Sequence, residues 1–169
     1  MSYLHYFAYG SNMSEERLRA RVPSAKSIGV YRLDGYQLVF HKRGRDGSAK
    51  CDALHTGVED VMFGVVYSML ERERPELDRV EGLGRGYDSC WVDVAHEDGH
   101  RLQAYTYTAL DTGHGLAPFD WYHEHVVRGA VAAGLPAAYV ERLQGVATVV
   151  DPDAARQRRE LSIYEICMG

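Results

Sequence analysis

The chain begins with an apolar, aromatic run that stops at a short polar stretch. Residues 3–9 combine tyrosine, phenylalanine and leucine, a composition typical of a β-strand with at least one buried face. Residues 10–12 are Gly-Ser-Asn, and a charged segment with apolar residues at helical spacing follows them. Asn12 or Ser14 is suited to cap that segment as a helix. The pattern therefore predicts a strand, a tight loop and a helix in succession.

Three further strands are predicted in the first half of the chain. Residues 28–33 and 36–41 are rich in apolar and aromatic side chains, and the dipeptide Asp34-Gly35 between them is typical of tight hairpin turns. The nearly continuous apolar run at residues 64–69 predicts a strand buried on both faces, in the centre of the sheet. Residues 42–52 contain glycines and basic residues but few apolar ones. We expect them to form a mobile, exposed loop at the rim of the protein.

The second half of the chain combines one hairpin with several helices. A charged segment with Pro75 near its start predicts a short helix over residues 71–81. Residues 87–95 and 102–109 predict a long hairpin, closed by a turn that contains glycine. From residue 119 onward the apolar positions recur at helical spacing, with one Gly-Leu-Pro break, and a polar helix comes last. Strands therefore come first and helices late.

This order of elements predicts an α+β fold. We expect a small, mixed and mostly antiparallel sheet, strongly twisted and closed into a barrel, with helices on its flanks. The chain has 169 residues, a mass of 19.0 kDa and 46% hydrophobic residues, which is enough to bury a core without disulfides or metals. No internal repeat or linker divides the sequence. A single domain over residues 1–169 is predicted.

The net charge and the cysteines indicate which binding partners and which cellular compartment to expect. A net charge of −5 and a pI near 5.9 disfavour a nucleic-acid-binding protein, because such proteins carry clustered basic residues. No apolar stretch approaches the ~18 residues that a membrane span requires. The sequence has an odd number of cysteines without a closely spaced pair, namely Cys51, Cys90 and Cys167. This favours a reducing compartment. We expect a soluble, cytoplasmic protein that binds neither nucleic acid nor membranes.

Two places along the chain carry residues that suit chemistry at a carbonyl group. The loop at residues 10–12 brings backbone N–H groups, a hydroxyl and an amide together, which suits it to receive a carboxylate or an oxyanion. The alternative is that Ser11 and Asn12 merely cap the next helix. Glu81 lies between Val80 and a segment with three glycines, where other groups can approach closely, and it is a candidate acid or base. The alternative for Glu81 is a solvated surface carboxylate.

An apparent metal motif is expected to be a coincidence of spacing. Residues 96–100 are His-Glu-Asp-Gly-His, which matches the H-E-x-x-H pattern of zinc proteases. That pattern needs a helix, where residues four apart share one face, whereas Asp98-Gly99 favours a hairpin turn. We therefore predict no metal site. A zinc hydrolase that uses His96 and His100 is the weaker alternative.

Two segments of the chain, taken together, resemble the γ-glutamylcyclotransferase family. They are residues 6–13, Tyr-Phe-Ala-Tyr-Gly-Ser-Asn-Met, and residues 77–82, Leu-Asp-Arg-Val-Glu-Gly. Within the family, the chain resembles the members that carry Y-G-S-N in this loop. These members are AIG2-like and similar to γ-glutamylamine cyclotransferase. It implies a small barrel with flanking helices and neither a metal nor a cofactor. The family's catalytic acid/base corresponds to Glu81, and its substrate-binding residues correspond to Tyr9, Gly10, Ser11, Asn12, Tyr87 and Tyr122.

The resemblance also implies a reaction on a small γ-glutamyl substrate. In that reaction the substrate's own α-amine attacks the γ-glutamyl amide, with Glu81 as base and then acid, and 5-oxoproline and a free amine are released. The leaving amine stays open among an amino acid, the ε-amine of lysine, another amine and an antibiotic precursor.

Two further hypotheses are compatible with the same residues. The first is a γ-glutamyl acyltransferase or hydrolase of a biosynthetic pathway, and the second is a non-catalytic module that binds a small molecule. The oligomeric state stays open between monomer and homodimer. Whether residues 42–52 or the tail at residues 161–169 close over the pocket is open as well.

Overall fold

Five of the seven strands close into a barrel in the computed structural model, which describes residues 1–57 and 59–165. The strands are β1 Tyr3–Ala8, β2 Lys26–Asp34, β3 Tyr36–Arg43, β4 Ala49–His55, β5 Val61–Leu70, β6 Tyr87–His96 and β7 Arg101–Ala109. Around the barrel they follow the order β1, β5, β2, β6, β7, while β3 and β4 form a separate two-stranded sheet. The predicted α+β fold with a small, mixed barrel is confirmed.

The strand β5 lies at the centre of this arrangement. It pairs antiparallel with β1 on one side and with β2 on the other, and Val65, Val66 and Tyr67 are at most 2% exposed. The prediction of a central strand buried on both faces is confirmed. The predicted hairpin of β6 and β7 also forms. The barrel closes where β7 meets β1 in parallel, at Tyr105 and Tyr6.

Five α-helices accompany the barrel. They are α1 Glu15–Arg21, α2 Arg74–Glu81, α3 Asp120–Ala133, α4 Ala137–Gln144 and α5 Ala154–Leu161. The Ser14 hydroxyl accepts the N–H of Arg17 at 3.4 Å. Of the two predicted candidates for the N-cap of α1, Asn12 and Ser14, the cap is therefore Ser14. Pro75 lies in the first turn of α2, as predicted. Within the described part of the chain, no helix combines the length and the apolarity needed to cross a membrane.

The predicted hairpin between the second and third strands is wrong. β2 pairs with β5 and β6, whereas β3 pairs with β4. The Gly35 N–H donates to the carbonyl of Asp60 at 2.8 Å, and the Gly35 carbonyl accepts the N–H of Thr56 at 2.9 Å. These bonds tie the turn to the connection between β4 and β5, so β3 does not fold back onto β2. The Asp-Gly dipeptide marks a turn, but long-range pairing selects the partner strands.

The predicted exposed loop at residues 42–52 is also wrong. β3 and β4 both extend into this segment, which leaves residues 44–48 as the connection. Asp52 accepts the N–H of Ala109 at 2.7 Å and lies 2.7 Å from Nε2 of His41. Buried polar groups with such distant partners cannot be recognised in a hydrophobicity pattern. The buried residues of the segment include Lys42, Ser48, Ala49, Cys51 and Asp52.

The end of the chain packs against the first helix as far as it is described. A short 3₁₀ turn, Ser162–Tyr164, follows α5. The Tyr164 hydroxyl lies 2.8 Å from Oγ of Ser14 and 2.6 Å from Nδ1 of His125. Residues 161–169 are one of the two segments that could close over the pocket. Of these, residues 166–169, which include Cys167, lie outside the described residues.

The loop after β1 is clamped between α3 and the barrel. A Cβ atom at Gly129 of α3 would lie 2.3 Å from the carbonyl carbon of Met13 and 2.4 Å from the nitrogen of Ser14. Both are backbone atoms, which cannot move aside as the end of a flexible side chain can. On the opposite side, the Tyr67 hydroxyl of β5 donates to the Met13 carbonyl at 2.9 Å. The position of this loop therefore depends on glycine at residue 129.

We expect Gly129→Ala to lower the free energy of unfolding by about 1–3 kcal/mol, the usual cost of overpacking. Helix propensity alone predicts the opposite sign, because alanine is about 1 kcal/mol better than glycine inside a helix. Chemical denaturation measures the difference. The control is Val131→Ala on the same helix, where the side chain is 56% exposed and a change within about 0.5 kcal/mol is expected. A Gly129→Ala protein as stable as the wild type would contradict the close packing.

Candidate active site

One cavity gathers all seven residues singled out in the sequence. It lies where β1 ends, next to the last turn of α2, and tyrosines form much of its wall. The lining consists of Tyr6, Tyr9, Gly10, Ser11, Asn12, Cys51, Glu81, Tyr87, Tyr107 and Tyr122. Three of these residues, Tyr6, Cys51 and Tyr107, were not predicted.

The loop after β1 supplies one wall. Ser11–Met13 forms a 3₁₀ turn, and the N–H groups at the start of such a turn have no acceptor within it. Gly10 lies against β4, because a Cβ at this position would be only 2.9 Å from the Cβ of Cys51. Ser11 is held by Arg17, whose Nε donates to the serine hydroxyl at 3.2 Å. Glycine at residue 10 therefore allows the loop to approach β4 closely.

Glu81 is the last residue of α2 and brings a carboxylate to the cavity. Nδ2 of Asn12 donates to Oε1 at 2.8 Å, and Nη1 of Arg21 lies 3.4 Å from the same oxygen. Both contacts stabilise the negative charge. Within residues 1–57 and 59–165, no side chain donates to Oε2. The side chain lines the cavity and is 17% exposed, so a ligand in the cavity can contact it.

The Asn12 amide links the candidate base to its neighbours. Besides its bond to Glu81, Nδ2 donates to the Tyr6 hydroxyl at 3.1 Å, and Oδ1 accepts from Nη1 of Arg21 at 3.1 Å. The opposite orientation of the amide would turn its oxygen toward the carboxylate, so these partners select a single orientation. Asn12 is 4% exposed. Its side chain therefore positions Glu81 rather than capping α1.

Backbone groups hold three of the lining tyrosines. The Tyr87 hydroxyl donates to the carbonyl of Cys51 at 2.6 Å, and the Tyr122 hydroxyl accepts the Cys51 N–H at 3.0 Å. The Tyr9 hydroxyl donates to the carbonyl of Tyr107 at 2.5 Å. Side chains tied to strands in this way give the cavity fixed walls. β4 thus supports the site, although the sequence pattern predicts a loop there.

Burial keeps these side chains uncharged. Desolvation raises the pKa of Tyr9, Tyr87 and Tyr122 well above the usual value of tyrosine. The same effect raises the pKa of the Cys51 thiol to about 12. A thiol that stays protonated near pH 7 is a poor nucleophile. Among the described lining residues, Glu81 is therefore the group suited to accept a proton.

Some of the lining residues that the sequence analysis does not predict could have been recognised from the sequence, and others could not. Tyr6 and Tyr107 lie on β1 and β7, and the alternation of side chains along a strand could have placed them on the inner face. Cys51 lies in the segment predicted as a loop. Arg21 belongs to a helix with several arginines, and nothing in the sequence distinguishes it from Arg19. Its contact with Glu81 depends on the packing of α1 beside α2.

The histidines of the H-E-x-x-H pattern lie at the opposite end of the β6–β7 hairpin from Tyr87. His96 ends β6 and a turn follows, which confirms that the pattern is not on a helix. One ligand atom each from His96, Asp98 and His100 lies within 4.8 Å of the others, close enough to hold a metal ion. Here Nδ1 of His100 lies 2.5 Å from Oδ1 of Asp98, and its Nε2 lies 2.9 Å from the Tyr31 hydroxyl. The described lining of the Glu81 cavity includes none of these residues.

Known proteins resemble this chain in both sequence and fold. The model of the AIG2-like family matches residues 61–143, a range that includes Glu81 and Tyr122. Human γ-glutamylcyclotransferase is 33% identical over an alignment of 150 residues that covers 83% of this chain and 77% of the human protein. A solved structure named γ-glutamyl cyclotransferase superimposes with a TM-score of 0.84 at 25% identity, over 99% of both chains. The human uncharacterized protein loc79017 superimposes with a TM-score of 0.83 at 26% identity, over 100% of both chains.

These similarities extend over most of the molecule rather than over one motif. The identity with the human enzyme covers more than three quarters of each chain. The structural match covers both the barrel and the helices. The chain therefore belongs to the γ-glutamylcyclotransferase family of enzymes.

Proposed function

We propose that this protein is a γ-glutamyl cyclotransferase that converts a γ-glutamyl amide into 5-oxoproline and a free amine. The observation that carries the proposal is the Glu81 carboxylate, which lines a small cavity and accepts from Asn12 at 2.8 Å through one of its oxygens. Relatives named γ-glutamylcyclotransferase support it. In the proposed reaction the substrate's α-amine attacks its own side-chain carbonyl, and the bond from that carbonyl to the departing nitrogen breaks.

The first requirement of this reaction is a proton acceptor. An α-amine has a pKa of about 8, so it is mostly protonated at neutral pH and cannot attack. Oε2 of Glu81 accepts this proton before the attack, which frees the lone pair of the amine to form the new carbon–nitrogen bond. General base assistance of this kind contributes roughly 10²- to 10⁴-fold to the rate. The lining tyrosines and Cys51 stay protonated, so they do not compete for this role.

The second requirement is a site for the negative charge that develops on the carbonyl oxygen. Residues 10–12 line the cavity, and their backbone N–H groups are the candidate donors. Each well-placed donor lowers the barrier by about 3 kcal/mol. The tyrosine walls confine the γ-glutamyl chain in a curled shape, which brings its amine toward its carbonyl. Ring closure then has a smaller entropic cost.

The third requirement is a proton for the departing nitrogen. An amide nitrogen leaves as a neutral amine only after it has been protonated. Glu81 holds the proton that it took from the α-amine and donates it to this nitrogen, so the carboxylate is regenerated. The attacking nitrogen keeps one of its two remaining protons in 5-oxoproline and loses the other to the departing amine, which is then an ammonium group. The proposed scheme requires neither a covalent enzyme intermediate nor a metal or cofactor. One residue serves as base and then as acid.

A hydrolase or an acyltransferase could use the same cavity with a different attacking group. Water would release glutamate, and a second amine would yield a new γ-glutamyl amide. Attack by the substrate's own α-amine is the route that yields 5-oxoproline. Product analysis on γ-glutamyl-alanine, γ-glutamyl-ε-lysine, a γ-glutamyl-capped primary amine and glutathione separates these reactions.

We expect Glu81→Gln to lower turnover by about 10²- to 10⁴-fold, because the amide has a similar shape but cannot accept the proton. Release of 5-oxoproline from the best substrate of that panel measures the loss, and circular dichroism checks the fold. Glu76→Gln is the matched control, since Glu76 is an exposed residue of the same helix. Turnover by Glu81→Gln at more than about a tenth of the wild-type rate would exclude Glu81 as the base.

We expect Ser11→Ala and Asn12→Ala each to weaken the binding of 5-oxoproline by about tenfold, the effect of losing one good polar contact. Calorimetric titration gives the dissociation constants. Asn12→Ala should also lower kcat, because Glu81 then loses its closest donor. Ser27→Ala, at an exposed position on β2, serves as the control. Unchanged affinity in both loop variants would mean that the loop is only a structural turn.

A further inference from the structure

An open cleft extends the catalytic cavity toward solvent. The two share Ser11, Glu81, Tyr87 and Tyr122, so a substrate held at Glu81 faces both spaces. The remaining walls of the cleft carry mostly basic side chains. In the proposed function, the small cavity receives the γ-glutamyl group. The departing amine, bonded to the carbonyl beside Glu81, then extends into the cleft.

Most cations of the cleft already have anionic partners. The contacts are Arg17 with Glu160 at 2.8 Å, Lys50 with Asp46 at 3.0 Å and Arg43 with Asp111 at 3.6 Å. Three others, Lys42, Arg45 and Arg85, have no carboxylate oxygen within 4.0 Å in the described part of the chain. The cleft therefore offers three cations that have no carboxylate in direct contact.

Lys42 is the most informative of these residues because it is buried. It is 8% exposed, and its Nζ lies 4.8 Å from the centroid of the Tyr87 ring. It also packs beside Gly86, where a Cβ would be 2.7 Å from Nζ. Desolvation lowers the pKa of this amine below its usual value, which reflects the cost of burying its charge. An ammonium group in this environment is stabilised when an anion enters the cleft.

Arg45 and Arg85 add two charges near the same point. Arg85 follows Glu81 by four residues, in the glycine-rich loop that ends α2. Nη2 of Arg45 lies 3.8 Å from the position of a Cβ on Gly82, the residue next to Glu81. Both arginines are exposed, so their side chains can turn toward a ligand. The three unpaired cations thus lie close to the end of α2 that bears the candidate base.

We propose, on the basis of the proposed function, that the departing amine carries two carboxylates. The substrate is then the γ-glutamyl derivative of an acidic amino acid or of a short acidic peptide. A neutral amino acid would bring one carboxylate into the cleft, whereas three unpaired cations match a dianion better. Charge-assisted hydrogen bonds bind it, and the basic walls also attract it from solution. Lys42 is a specificity-determining residue in this proposal.

The test compares γ-glutamyl-glutamate with γ-glutamyl-glutamine, which have nearly the same shape and differ by one charge. We expect kcat/KM for 5-oxoproline release to be about tenfold higher for γ-glutamyl-glutamate. The difference should shrink as salt is raised from about 50 mM to about 500 mM, because salt screens the attraction. Equal kcat/KM values would overturn the inference while leaving the proposed function intact. Failure of both substrates and of the wider panel to release 5-oxoproline would instead contradict the proposed function.

Variants of cleft residues test whether the cleft causes the preference for γ-glutamyl-glutamate. Arg85→Gln and Lys42→Met should each reduce the preference by about fivefold, because the KM for γ-glutamyl-glutamate rises more than the KM for γ-glutamyl-glutamine. Arg85 is exposed, so the test does not depend on tolerance of Lys42→Met by the fold. Arg101→Gln removes the same charge at the far end of the β6–β7 hairpin and should change neither substrate. A preference that persists in both cleft variants would overturn the inference.

Discussion

The hydrogen bond from Asn12 to Glu81 joins the two sides of the site, and much of the fold holds its two ends in place. One end lies on the loop that packs between Gly129 of α3 and Tyr67 of β5. The other end lies on the last turn of α2, beside Arg21 from α1. Such donors offset the cost of burying a carboxylate that is this little exposed. The barrel is the frame that brings these separate elements together.

The site has two different electrostatic environments that meet at Glu81. Inside, hydroxyls tied to backbone groups form a neutral wall around one carboxylate, which moves the proton in the proposed reaction. Outside, unpaired cations face the open cleft. A substrate with a compact γ-glutamyl end and an anionic leaving group fits both environments at once. In the proposed scheme, catalysis rests on Glu81 and the loop at residues 10–12, whereas selectivity for the departing amine rests on the cations of the cleft.

Local features of the sequence predict most of the elements and part of the site. The strands, the helices, the loop at residues 10–12 and Glu81 are recognisable because an aromatic run, an apolar period or a group of glycines is a short-range feature. The pairing of strands, by contrast, is not a short-range feature of the sequence. Asp34-Gly35 marks a turn, yet both edges of β2 are occupied by β5 and β6. The segment at residues 42–52 and Arg21 are missed because their polar groups find partners far away in the chain.

The most direct test of the central claim is a crystal structure of Glu81→Gln with a γ-glutamyl amide bound, because removal of the base should stop turnover while the shape of the site is kept. The account predicts that the substrate's α-amine lies about 3 Å from the side chain of residue 81, within hydrogen-bond reach. It also predicts that the side-chain carbonyl oxygen faces the N–H groups of residues 10–12. A substrate bound with its α-amine pointing into the open cleft, away from residue 81, would contradict the account.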